Sequence, residues 1–101
     1  NLVIYSWGYQ LDWEPKQYSK KPVAIEAIQL TDDNHSEIIQ WLSSYNVESY
    51  TLKSTDPSGL YIKTLEGVMK ANIGDYIIKG VKDEFYPCRE DIFKMTYDEY
   101  N

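Results

Sequence analysis

From Leu60 to Arg89, apolar and polar side chains alternate in short runs that Gly67, Gly74 and Gly80 interrupt. Alternation with a period of two, broken by turn formers, predicts a meander of antiparallel strands. The strands are expected over 60–64, 68–71, 76–79 and 84–88, with turns at 65–67, 72–75 and 80–83. Pro87 has no N–H to give to a ladder and marks the last strand as an edge or a strand end. Ahead of the meander, Thr55–Gly59 has Pro early and Gly late, which predicts the turn that opens it. Val47 to Ser54, with Tyr50 and Leu52, reads as extended chain.

The period changes upstream. Ile38, Ile39, Trp41, Leu42 and Tyr45 fall on one stripe of a helix predicted over 34–45, while His35, Glu37, Gln40 and Ser44 lie on its polar side. Asn34 is expected to cap this helix with Glu37 three residues on, and Asn46 suits the left-handed position that ends it. Before the helix, Pro22 holds Lys21 extended and leads into a strand over 23–30. Both faces of that strand are largely apolar, which predicts a central position, and Glu26 interrupts one of them. After the meander, Glu90 and Asp91 favour a helix start, and a short helix to about Tyr97 would pack through Ile92, Phe93, Met95 and Tyr97. The expected fold is α+β: a curved antiparallel meander, able to close partly towards a barrel, packed against one main helix, with a short C-terminal helix.

Residues 1–17 fit less well. Leu2, Ile4, Tyr9 and Leu11 alternate until Pro15 stops regular structure. Trp7, Tyr9 and Trp13 carry apolar area that favours burial, so this segment is expected to be a docked arm or an extra strand, on its own domain or on a second copy in a homodimer. Residues 18–101 form the single α+β domain, because 101 residues suffice for one core and not two.

Composition narrows the functional classes. A net charge of −6 opposes binding to a phosphate backbone, which needs clustered Lys and Arg. Ten tyrosines place polar tips at the boundary between core and water, as at interaction surfaces. One cysteine forms no internal disulfide, which fits a reducing cytoplasm. No apolar run approaches the roughly 20 residues that span a bilayer, so no membrane contact is expected.

Candidate chemistry is sparse. Cys88 and His35 are the sole residues of their types, so a thiol nucleophile with an imidazole base would need this one pair. Arg89 could lower the Cys88 pKa, but a free cysteine at a strand end also serves as a small buried hydrophobe. Glu26 on its apolar strand needs a cationic or hydroxyl partner, and Asp75 can accept turn amide hydrogens. No metal-ligand spacing and no glycine-rich phosphate loop appears, so neither a metal nor another cofactor is expected. The expected interaction surface comprises Trp7, Tyr9, Trp13, Tyr61, Lys63, Tyr76 and Lys79. In the alternative, a small nucleic-acid-binding module, Tyr61, Lys63, Lys70, Tyr76 and Lys79 would stack and pair with single-stranded bases.

The strings YSKKPVAIEAIQL and YIKTLEGVMKANIGDYIIKGVKDEFYPCREDIF resemble a family of small proteins encoded by bacteriophages and prophages of Gram-positive bacteria. The resemblance runs from about Tyr18 to Tyr97. It implies a viral origin and the host cytoplasm, and no assigned reaction. Ile73 stands where that family often has proline, and Asp83 where it often has glycine. Together with the absent catalytic constellation, this predicts a non-enzymatic phage accessory protein that binds a host or phage protein.

Overall fold

A computed structural model describes residues 15–18, 21 and 23–99. Its elements run β1 (Glu26–Gln29), α1 (His35–Ser44), β2 (Ser49–Leu52), β3 (Asp56–Thr64), β4 (Gly67–Ala71), β5 (Tyr76–Lys79), β6 (Phe85–Cys88) and α2 (Glu90–Thr96). The α+β class and both helices agree with the sequence reading. The single meander does not: the strands form two antiparallel three-stranded sheets, ordered β1-β5-β6 and β2-β3-β4. The sheets do not close into a barrel.

The split happens between β4 and β5. Asp75 N donates to Asn72 O (2.9 Å), and Gly74 takes φ +98 at the third position, the geometry of a type II turn in which an L side chain would be strained. Asp75 Oδ2 accepts the Asn72 amide hydrogen (2.8 Å), so Asp75 serves the turn. The chain then leaves its own hairpin and β5 pairs with β1, Glu26 opposite Lys79 and Gln29 opposite Tyr76. Leu30 N to Asp75 O and Gly74 N to Leu30 O, each 2.8 Å, extend that pairing.

Three local expectations are corrected. Among the described residues the first strand is an edge strand and not a central one, because β5 pairs with it on one side and no described strand lies on the other; it is four residues long because β5 offers four partners. The expected turn at 55–59 lies largely inside β3, which begins at Asp56. Pro57 is tolerated there because β4 pairs only with Leu60–Thr64, leaving the proline nitrogen beside no β4 residue. Asn34 precedes α1 without a side-chain cap. Its amide instead donates to Gln29 O and accepts from Thr31 N, both at 2.8 Å, which fastens the loop to β1.

The end of α1 is as expected. Val47 N bonds to Leu42 O and Asn46 N to Ser43 O, with Asn46 at φ +61, a Schellman motif whose apolar pair Leu42 and Val47 packs in the core. Ile38 and Leu42 from α1 meet Leu30, Leu60, Ile62, Ala71, Ile77 and Phe85, all at most 4% exposed. Trp41 and Tyr45 lean on Phe85, with centroids 5.1 and 5.4 Å away.

The central strand β5 of sheet β1-β5-β6 is buried on both faces, while β1 at the edge leaves Glu26 and Ile28 exposed. Ile78 follows Ile77 and points the other way, yet is only 1% exposed. The cover on that side is α2: Phe93 stacks flat on Tyr76 at 3.9 Å, and Tyr97 leans on Phe93 at 5.1 Å. Ile92 and Met95, expected among the contacts of this helix, are exposed because the helix holds the sheet through its aromatic side.

Candidate functional site

The residues expected to share one tyrosine and lysine face are divided among three places. Tyr61, Lys63 and Lys70 stay together on the outer face of β2-β3-β4, joined there by Tyr50, whose ring stacks on Tyr61 at 5.6 Å. Tyr76 lies on the α2 side of the other sheet, under Phe93. The Lys79 side chain is only 15% exposed, with its ammonium 5.0 Å from the Tyr45 ring centroid and ion-paired with Glu26 (3.3 Å) and Asp83 (3.2 Å). Trp7, Tyr9 and Trp13 lie outside the described residues.

The outer face is internally satisfied. Tyr61 Oη donates to Asp56 Oδ2 and Lys70 Nζ pairs with the same oxygen, both at 2.7 Å. The Lys70 and Tyr61 bonds hold the Asp56 carboxyl below its usual range, and the same contact raises the Tyr61 phenol. Gly59 makes room for this cluster, since a Cβ there would stand 2.8 Å from both Asp56 Oδ2 and Lys70 Cε. Lys63 pairs with Glu48 at 2.8 Å. Each lysine of this face therefore has a carboxylate on it, which cancels the local positive charge that a nucleic acid would need.

The other polar candidates are occupied structurally. Glu26 is exposed and paired with Lys79, since an edge strand leaves it in water; it does not interrupt a buried face. His35, expected in solvent, donates through Nε2 to Ser58 O at 2.8 Å and ties α1 to the start of β3. Arg89 pairs with Asp91 at 2.7 Å and does not activate Cys88. Burial first, then the carboxylates of Asp75 and Asp91, push the Cys88 thiol up, opposite to the direction a nucleophile requires. Among the described residues no group of three metal-ligating side chains converges, and no helix is long and apolar enough to cross a membrane.

What the sequence reading missed is a groove of about 830 Å³ at the hairpin end of the molecule. Three segments build it: the chain leaving α1 (Asn46, Val47, Glu48), the β3–β4 hairpin (Lys63 to Glu66, with Met69) and the β5–β6 hairpin (Lys82 to Tyr86). It arises because Met69 sits on the core-facing side, opposite Ile62, but beyond the reach of α1; Met69 is 37% exposed while Ile62 is fully buried. Val47, Met69 and Phe85 supply apolar walls. Leu65 at the hairpin tip is completely exposed, where turn residues are usually polar. An apolar residue at a turn tip is the signal the sequence carries for it.

Around the rim stand Glu48, Glu66, Asp83 and Glu84 against Lys63 and Lys82. Lys63 is taken by Glu48, and Asp83 by Lys79. Among the described residues Glu84 accepts the Lys82 amide hydrogen alone (3.3 Å), with the carboxylate lying against Gly80. The arrangement offers an apolar slot with an acidic lip and no paired nucleophile and base. No protein family, no curated protein sequence and no solved structure matches this chain.

Proposed function

We propose that the chain is a non-enzymatic protein-interaction module, a phage-encoded accessory protein of the host cytoplasm, which takes its partner in the hairpin-end groove. One observation carries the interaction reading: Val47 and the 37% exposed Met69 wall the groove with the fully exposed Leu65 beside them, while among the described residues the Tyr61–Asp56–Lys70 cluster and the Tyr76–Phe93 stack are satisfied internally. Apolar area held open on a small domain favours burial against a partner. The viral and cytoplasmic part rests on the resemblance of the quoted strings and on the lone cysteine. Two turns support the resemblance. The proline it leads one to expect at Ile73 would occupy the second position of a type II turn, which proline favours, and the glycine at Asp83 would occupy a residue at φ +60.

A photo-cross-linking amino acid at position 65, with the same residue at exposed Ile73 as control, tests the reading in lysate of a Gram-positive host. A discrete adduct from position 65 alone is expected. Adducts only from position 73, or from neither, would sink the groove as the partner site.

A further inference from the structure

Resting on the groove as the partner site, we infer that the partner segment is basic and apolar: an aliphatic or aromatic side chain enters the slot, with Lys or Arg on either side against the acidic lip. The argument is charge complementarity. Four carboxylates and two ammonium groups line the groove, and the whole chain carries −6. Glu48 is taken by Lys63 and Asp83 by Lys79, which leaves Glu66 and Glu84 against Lys82. Glu66 makes no ion pair among the described residues, and Glu84 none either. These two carboxylates stand on opposite hairpins, one on each side of the slot, so a cation on each flank of an inserted apolar side chain finds an acceptor. A second copy docked groove to groove is the poorer occupant, because a two-fold contact sets each acidic lip against its own image.

The test titrates the isotopically labelled full chain with three synthetic peptides at low salt, following backbone amides by NMR. Acetyl-KKLKK-amide is expected to shift Leu65, Glu66, Met69 and Lys82 and to leave Tyr50 and Tyr61 unmoved. Acetyl-EELEE-amide and acetyl-KKSKK-amide should leave all of them still. Glu66→Lys lies in an exposed turn and should weaken the first peptide by about fivefold, the upper end for an exposed ion pair. Equal binding by EELEE would overturn the basic partner while leaving an apolar groove partner standing. Binding of KKSKK as strong as KKLKK would remove the apolar anchor. No groove shift with any peptide overturns the inference, and a cross-link at position 65 then decides separately whether the groove binds protein at all. Concentration-dependent shifts of the same amides without peptide would assign the groove to a second copy and overturn it too.

Discussion

The two faces of sheet β1-β5-β6 are covered by different means. On one, α1 lays Ile38 and Leu42 against Leu30, Ile77 and Phe85, each at most 4% exposed, while Ile28 at the edge of that face stays open. On the other, α2 contributes no buried residue and rests on the stack of Phe93 on Tyr76 and on the contact of Tyr97 with Phe93. Aliphatic burial is non-directional and grows with area, whereas a single aromatic stack adds roughly 0.5–1.5 kcal/mol beyond its area. The α1 side therefore holds the domain together, and the α2 side is a cover that opens first.

Leu42→Ala should show the largest effect, about 2–5 kcal/mol in denaturant unfolding, because it leaves a cavity between the helix and both sheets. A loss below about 1 kcal/mol would mean that α1 is no more tightly held than α2. Phe93→Ala should cost about 1–2 kcal/mol, from one ring stack and partial burial, and chiefly at α2. Hydrogen exchange would then speed up at the Phe93 and Tyr97 amides while Ile62 stays protected. Uniform acceleration would erase the distinction between the two faces.

A pH effect also follows on the α2 side. Burial, and then the hydrogen bond with Tyr97, push the Tyr86 phenol up to about 12. An unfolded tyrosine ionises near 10, so the folded form favours the neutral phenol. That contribution is complete below pH 10 and is lost as the pH rises towards 12. The denaturant midpoint should fall across this window in the native chain and fall less in Tyr86→Phe; identical curves would contradict the burial of this hydroxyl. The smallest expected change is a gain. Ile73→Pro, at the turn that leads into the strand both faces share, should stabilise by about 0.4–1 kcal/mol through the unfolded chain, and a loss would show that the turn is not type II.

Much of this fold was legible in the residues. The stripe of Ile38, Trp41 and Leu42, the left-handed Asn46 and the carboxylate of Asp75 in its turn are local features, decided within a few bonds of each residue. So is the alternation that bounds β4, β5 and β6 to within a residue or so. Alternation records which side chains share a face, however, and not which strand lies alongside. Only the tertiary structure separated β5 from β4 and set it against β1, turning a presumed central strand into an edge and moving Glu26 into water. The same rearrangement half-buried Lys79, parted Tyr76 from Tyr61 and gave His35 its partner on β3. The groove lies furthest from the sequence. It exists because two hairpins extend past the end of α1, a relation of element lengths in space that no spacing of residues along the chain encodes.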